Sequence, residues 1–419
     1  MRRRLLLAAA SLGLLALPAP ALAGWSAPET LTRSGQAYGV SVSADVQGDA
    51  GVAYVRTLSG HNRAELRRGT IRGRLAAPVV LDDSTRAMDT TALAFGADRD
   101  AYVAWRRYFE GNHRVWGAAV DRRAVARPLS RVTGGGESAY APGFAIGAGG
   151  PVLFWGRRTS AAAALPVNGG FEHLPSLKGP SVALAMTTTG GGGVMAAWEQ
   201  EGGAYAAQLR GPGRSWSAPQ RLSDPAAGRV ASTPALTVGR DGTVLVAWTT
   251  SSAQGIALDL AVRPAGGAAF GAPAQVVDPA ERAREPRLAA SSSGEVLLAY
   301  LATAGAVRSG PVKLVRLTPR GAVAGRTTLT PAGETASEPS LAADGTSGSF
   351  AAWTENGPDR GRLRVVRVAP GGIVGTVTTI AGTGDALAPP ALFGLPLGGA
   401  LLAWSSPKDG RVRLARYSL

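Results

Sequence analysis

Short apolar runs that end in an aromatic residue recur along this chain. Val244-Leu245-Val246-Ala247-Trp248, Val296-Leu297-Leu298-Ala299-Tyr300 and Leu401-Leu402-Ala403-Trp404 are examples. The aromatics fall at Tyr54, Trp105, Trp155, Trp198, Trp248, Tyr300, Trp353 and Trp404, spaced by 43 to 53 residues. Twelve residues before the aromatic, six copies carry a second apolar mark: Val42, Leu93, Leu236, Leu288, Leu341 and Leu392. In four of these a proline stands two residues earlier, at Pro234, Pro286, Pro339 and Pro390. A glycine turn such as Asp241-Gly242 or Ser293-Gly294 separates the two marks. An apolar run, a glycine turn and a second apolar run predict a β-hairpin.

The rest of each copy reads as a second hairpin. Arg362-Leu363-Arg364-Val365 and Arg411-Val412-Arg413-Leu414 alternate charged with apolar residues, the period of a half-exposed strand. A glycine-rich turn follows, such as Pro264-Ala265-Gly266-Gly267, and then a strand such as Ala274-Gln275-Val276-Val277. Each copy therefore predicts four strands, an inner apolar pair and an outer, more polar pair. No helix-length amphipathic pattern interrupts them. The repeat predicts an all-β fold, an eight-bladed β-propeller of four-stranded blades. Copy three is short, and its alanine run Ala161 to Ala164 makes its third strand the least distinct.

The two ends complement each other. The last copy stops after its third strand. Near the other end, Trp25-Ser26-Ala27-Pro28-Glu29-Thr30-Leu31 matches Trp216-Ser217-Ala218-Pro219-Gln220-Arg221-Leu222, the fourth strand of copy four, at Trp, Ser, Ala, Pro and Leu. The N-terminal strand should therefore complete the C-terminal blade. Closure leaves no exposed sheet edge between the ends of the array, whereas an open solenoid would leave the match unexplained.

Ahead of that strand lie Arg2, Arg3 and Arg4, an apolar stretch over residues 5–17, and Ala21-Leu22-Ala23. A basic segment, a short apolar segment and a small-x-small site make a secretory signal peptide; the apolar run is too short to span a membrane. The paired arginines leave the twin-arginine route open beside the general one. Residues 1–23 are thus expected to be the signal and 24–419 the propeller. The mature chain is expected to be a secreted or periplasmic monomer with no membrane span.

Composition narrows the chemistry. The chain has no cysteine, so disulfides, thiol catalysis, iron–sulfur clusters and cysteine zinc sites are all excluded. It has 44 basic and 29 acidic residues, a net charge of +15. Lys178, Lys313 and Lys408 are its only lysines. Such a balance permits polyanion binding. Outside the cell, acidic envelope polymers suit it better than nucleic acid, which is not expected as a partner. Outer-strand arginines such as Arg362, Arg364 and Arg367 would form either a charged rim against edge association or such a polyanion surface.

The Trp25 and Trp216 segments with their glycine-rich hairpins resemble secreted bacterial propellers of the sialidase type, built from BNR or Asp-box repeats. The family turn is Ser-x-Asp-x-Gly-x-x-Trp. Gly213 and Trp216 match it, while Leu209 and Gly211 stand at the Ser and Asp places. Gly267 and Phe270 match loosely in the next copy, with Arg263 and Ala265 at the other two places. The resemblance implies the architecture. For activity it would imply a Phe-Arg-Ile-Pro-like segment supplying an arginine, and the chain has none.

Other chemistry is thin. The core aromatics should pack between neighbouring blades. His61 and His113 belong to hairpin tips and His173 to an outer strand, a spread that does not suit a three-histidine metal site. There is no Gly-x-Ser-x-Gly elbow and no EF-hand loop; no metal or other cofactor is expected. What is left is paired carboxylates. The loops after the second and fourth strands share one face. They carry Asp82, Asp83, Asp89, Glu199, Glu201, Glu285, Glu338, Glu355 and Asp359, with Arg106, Arg107, Tyr108 and Arg284 beside them. Glu285 and Glu338 each directly precede the proline that opens an inner strand. These features point to a non-catalytic binding propeller for a glycan, an envelope polymer or a protein. Its candidate contacts are Arg106, Arg107, Tyr108, Arg284, Glu285 and Glu338. The alternative is a carbohydrate-active enzyme, sialidase-like or of another glycosidase type.

The signal assignment predicts that exported protein begins at Gly24. Intact-mass measurement checks it, and a mature chain that retains residues 1–23 refutes it.

Overall fold

A computed structural model describes residues 23–418, apart from 128–129, 135, 137, 148–149, 159, 168–169, 180–183, 190–192, 211–214, 225–227, 306, 308, 357–360, 383–388 and 397. Residues 1–22 of the signal segment, Gly211, Gly213 and Asp359 therefore lie outside the described residues. The strands form eight antiparallel sheets. Blade 5 shows the plan: Val230–Val238, Val244–Ser252, Gly255–Arg263 and Ala274–Val277 pair in sequence order. The alanine run of blade 3 is a full third strand, Ser160–Val167, paired on both sides. Its alanines are buried against the neighbouring blades.

The first strands of blades 1 to 8 are Gln36–Ala44, Met88–Phe95, Tyr140–Gly147, Leu184–Thr188, Val230–Val238, Ala283–Ala290, Thr335–Ala343 and Ala391–Gly394. Each touches the next, and the last touches the first. They form a closed inner ring around a central channel. The eight aromatics that mark the repeat all end the apolar run of a second strand, and none is more than 2% exposed. Each packs on the preceding blade. Trp105 lies against Ala53, Val55 and Leu66 of blade 1, and Tyr54 against Leu401, Val412 and Leu414 of blade 8. The core is thus a set of interfaces between blades.

The ring closes as the complementary ends predict. Gly24 faces Ser418 and Trp25 faces Tyr417; Glu29 faces Leu414 and Thr30 faces Arg413. Leu31, 1% exposed, enters the interface between blades 8 and 1. Its backbone N–H donates to the Val412 carbonyl at 2.8 Å, and the Val412 N–H donates to Thr32 Oγ1 at 3.0 Å. Trp25 sits edge-to-face with Phe350 and Tyr417, at 5.7 and 5.4 Å between ring centroids.

Near its start, the inner strand of blades 1, 2, 3, 5, 6 and 7 carries one extra residue relative to its partner, a β-bulge. In five of them a bulge residue takes a left-handed backbone: Gly39 (φ 60), Ala141 (φ 39), Thr233 (φ 45), Glu285 (φ 52) and Glu338 (φ 54). At Gly39 no side chain fits, because a Cβ would lie 1.8 Å from the Asp89 carbonyl oxygen of the next blade. The prolines at 142, 234, 286 and 339 follow directly. Proline cannot donate to the sheet, and at an interrupted register no donor is needed there. At Pro234, Pro286 and Pro339 the proline mark in the sequence is the signature of this bulge, whereas Pro390 stands just ahead of an inner strand whose register is unbroken.

Closure sets the stability. Leu31→Ala should cost about 2–4 kcal/mol, the usual price of emptying a leucine site, and deleting residues 24–31 should cost more. Thermal denaturation checks both; an unchanged melting temperature for the deletion would mean that the ring does not depend on the shared blade.

Candidate functional site

Because the strands of a blade alternate in direction, the loops after the second and fourth strands lie at one end of the channel. The bulges lie at the same end, where the inner strands begin. Three of them present a carboxylate: Asp89, Glu285 and Glu338. The opposite end carries tight turns, and among the described residues five of them are capped by aspartates. The Oδ1 atoms of Asp45, Asp98, Asp121, Asp241 and Asp344 accept backbone N–H groups from residues two to four ahead.

One position separates blade 6 from the others. The inner-strand residue facing the one just before the core aromatic is Ser41, Ala92, Gly143, Ala185, Ala235, Ser340 or Ala391 in seven blades. In blade 6 it is Arg287, facing Ala299. The small residues let neighbouring blades approach. Ser41 Oγ bonds Thr91 Oγ1 of the next blade at 2.8 Å, and Ser340 Oγ donates to the Pro390 carbonyl at 2.7 Å. Arg287 keeps solvent-exposed surface. Enclosure nevertheless holds its guanidinium below the ordinary arginine pKa, against the opposing pull of Glu285 and Glu338. A side chain that reaches into a narrow wet channel has both properties. Its Nη1 donates to the Pro286 carbonyl, 3.0 Å away.

Glu338 is the acid partner. Burial pushes its carboxyl above the usual range, the charge of Glu285 pushes the same way, and Arg287 opposes both. Its Oε2 is enclosed without a hydrogen-bond partner. The charges of Glu285 and Glu338, from adjacent blades, thus act on Arg287, which the sequence reading passed over. Aligning the eight copies at this position would have exposed it as the one large residue among small ones. Arg284 lies higher on the same strand, opposite Leu301, with its Nε enclosed and unpartnered.

Blade 2 presents a second cluster. Arg106 clasps Asp89, with Nε 2.7 Å from Oδ1 and Nη2 on Oδ2. Its Nη1 also reaches the Ala139 carbonyl of blade 3 at 3.5 Å. Burial alone would raise the Asp89 carboxyl; the hydrogen bonds and charge of Arg106 outweigh it and hold the group low. His113 Nδ1 stands 3.9 Å from Asp89, and the Tyr108 ring meets His113 edge-to-face at 5.4 Å. Tyr108 is 38% exposed. Arg107 points the other way. Its Nη1 donates to both Asp82 oxygens at 2.8 Å, and its guanidinium lies 3.7 Å from the Trp116 ring centre. Asp82 also accepts from Trp105 Nε1 at 2.9 Å. Arg107 thus ties blade 2 to Asp82 of blade 1.

Several other loop acids and outer arginines are paired within the sheets. Arg364 holds Glu355 at 2.7 Å and Glu334 at 3.0 Å, Arg362 lies 3.8 Å from Glu355, and Arg367 lies 3.2 Å from Asp344. Asp83 is shared by His61 at 2.7 Å and Arg63 at 2.8 Å. The residues that match the Asp-box pattern serve as clasps between blades. Trp216 Nε1 donates to the Pro175 carbonyl at 2.6 Å, and Gln220 exchanges hydrogen bonds with the Phe270 backbone. Among the described residues no three His, Asp or Glu side chains come together as metal ligands.

No family model and no curated protein sequence matches the chain. Solved structures do, at low identity, and the shared feature is the fold. The Dos1 propeller is similar over 94% of this chain and 95% of its own, with a TM-score of 0.56 and 9% identity. An ulvan lyase, a polysaccharide lyase bound to a GlcA–Rha3S saccharide, is similar over 75% of this chain and 89% of its own, with a TM-score of 0.52 and 11% identity. The NanB sialidase of Streptococcus pneumoniae covers 93% of this chain and 92% of its own at 10% identity, with a TM-score of 0.44 that is too low to bear weight.

The environment of Glu338 predicts a pH-dependent phenotype. A carboxyl raised by folding favours the folded state in acid, and that contribution is lost as pH rises through its folded pKa. Glu338→Gln should therefore raise the melting temperature at pH 7.5, by roughly 1–3 °C, and leave it unchanged near pH 4. Equal shifts at both pH values would show that Glu338 is not so perturbed.

Proposed function

We propose that this chain is an extracytoplasmic, non-catalytic binding propeller that takes a glycan over the channel mouth, on the face that carries the loops after the second and fourth strands. The observation that carries this reading is Arg287. A ring of small residues is broken once, by a cation that reaches solvent within the field of two glutamates. Carboxylates and a guanidinium offer acceptors and donors for sugar hydroxyls, and a fixed charge for an acidic group. Blade 2 stands across the ring from blade 6. It adds Tyr108, an exposed aromatic face beside the Arg106–Asp89 clasp, and such aromatic and arginine surfaces are where binding energy concentrates. Loops on a rigid scaffold are the usual place for such a site. The ulvan lyase named above, similar in fold, is bound to a GlcA–Rha3S saccharide, which is in keeping with the reading. Extracytoplasmic location follows from reading residues 1–23 as a signal, and no helix among the described residues is long and apolar enough to cross a membrane.

The catalytic alternative has one specific observation in its favour. Glu338, raised by burial and by Glu285, has the character of a proton donor beside a carboxylate, the pair that glycoside hydrolysis uses. Product release from fluorogenic glycosides, sialosides included, that is lost in Glu338→Gln would favour it over simple binding.

A glycan and envelope-polymer array on the mature protein tests the main reading. For the ligand found, Arg287→Ala should weaken binding at least tenfold, about 1.4 kcal/mol, without lowering the melting temperature. Arg106→Ala with Tyr108→Ala should weaken it less. Unchanged affinity in folded Arg287→Ala would remove the mouth as the site.

A further inference from the structure

The face opposite the channel mouth carries the turns after the first and third strands. Blades 1 and 2 gather four of these turns into one surface, and the buried Arg68 fastens them. Its Nη1 donates to the Val120 and Asp121 carbonyls at 2.9 and 2.5 Å, and its Nη2 donates to the Arg99 carbonyl at 3.0 Å. The same Nη2 lies 3.5 Å from Asp49. The Ile71 N–H donates to the Gly48 carbonyl at 2.9 Å, which joins the two turns of blade 1. Beneath the surface, charge is matched. Arg99 stands 3.8 Å from Asp45 and 2.9 Å from Asp49, and Arg127 holds Asp100 at 2.6 Å. Arg68, Arg99 and Arg127 thus answer Asp45, Asp49 and Asp100. What remains at the surface is Arg72, Arg74, Arg122 and Arg123, all exposed, against Asp98 and Asp121. Both acids are engaged. Asp121 Oδ1 accepts the Arg123 and Val125 N–H groups at 2.9 Å each, and Asp98 Oδ2 accepts the Tyr102 hydroxyl at 2.7 Å. Arg74 reaches Glu29 only at 3.8 Å, while Arg416 holds that glutamate at 2.8 Å.

Apolar side chains stand among these cations. Val46, 64% exposed, lies in the first turn of blade 1, and Val125, 58% exposed, follows Arg122 and Arg123 in blade 2. Ile373, 68% exposed, lies on the same face in blade 7. A polyanion dissolved in water would engage the guanidinium groups and gain little from the aliphatic ones. A bilayer of anionic phospholipid takes both. Its phosphates accept hydrogen bonds from arginine, its negative surface attracts each arginine near it, and branched side chains enter the boundary between headgroups and acyl chains. The course of the chain agrees. Gly24 pairs with Ser418 at the end of the third strand of blade 8, so Ala23, itself exposed, leaves the ring on this face. The basic and apolar segments read as an export signal precede it, outside the described residues, and such a segment engages a membrane until it is cut. We propose that this face of blades 1 and 2 docks peripherally on an anionic phospholipid bilayer and leaves the channel mouth directed away from it. The docking does not rest on the glycan reading of the mouth.

The test is co-sedimentation of the mature protein with sucrose-loaded vesicles, made either of phosphatidylcholine alone or of phosphatidylcholine mixed with phosphatidylglycerol. The protein should bind the mixed vesicles and not the neutral ones, and binding should weaken steeply as salt is added. Arg72→Glu with Arg122→Glu should weaken it by roughly tenfold or more, with the melting temperature unchanged. Arg33→Glu with Arg86→Glu makes the same change in net charge at exposed arginines on the mouth face. That pair should leave binding within roughly threefold, because the added charge lies far from the bilayer. Val46→Ser with Val125→Ser should weaken vesicle binding severalfold at low and high salt alike, since apolar insertion is not screened. The same valine pair should leave binding of dextran sulfate, a soluble polyanion, unchanged. Absence of a preference for phosphatidylglycerol, or equal loss of binding in the two arginine pairs, would overturn the proposal. Vesicle binding that is indifferent to the valine pair, with dextran sulfate bound as tightly, would also overturn it and assign the arginines to a soluble polyanion.

Discussion

No blade of this protein has a core of its own. Each core aromatic is buried against the blade before it, so the apolar face of every sheet is satisfied only by a neighbour. Tyr54 makes the constraint plain: it belongs to the first blade and is covered by Leu401, Val412 and Leu414 of the last. An open array would leave that surface in water, along with the other face of blade 8. With no cysteine to cross-link the ends, closure depends on hydrogen bonding and apolar burial along residues 24–32. Deep burial of Leu31 and the pairing of Val412 with Thr32 and Leu31 make this the joint on which the other seven interfaces rely.

A closed ring over-determines its inner strands, and that rigidity lets the mouth hold unfavourable backbone. Left-handed geometry costs a non-glycine residue about 1–2 kcal/mol. Thr233, Glu285 and Glu338 all adopt it at equivalent bulges. Bulges re-aim side chains, and here two of them carry the glutamates whose charges act on Arg287. The raised Glu338 and the lowered Arg287 both follow first from burial. Backbone strain persists where surrounding structure enforces it, and the neighbouring blades supply that enforcement.

The positive charge of the chain is distributed differently from what its size suggests. Many arginines are held by acids within or between blades: Arg56 by Glu65, Arg107 by Asp82, Arg364 by Glu355 and Glu334, Arg367 by Asp344, Arg416 by Glu29. Alternation of charged and apolar residues in the third strands reads as a solvent-facing stripe, yet Arg364 and Arg416 reach acids on neighbouring strands and Arg367 an acid in a turn. The outer rim is therefore less of a free cationic surface than the net charge of +15 implies. The distinctive cation is the one at the channel.

By itself the sequence determined the blade count, the four-strand plan, the position of the core aromatics and the shared last blade. These follow from periodicity, and burial repeats with the chain because every blade solves the same packing problem. It also marked Glu285 and Glu338, through the prolines that follow them. The tertiary structure alone decided what those prolines mean, a bulge with left-handed backbone, since that depends on register against a partner strand. It decided that Arg107 turns inward to Asp82 and Trp116 while its neighbours Arg106 and Tyr108 turn out, because adjacent residues of a strand face opposite sides and the sequence does not say which side is covered. It brought Arg287 within the field of two glutamates from different blades, separated by 53 residues in the chain. Periodicity places residues along a strand; only the closing of one blade against the next decides which charges meet.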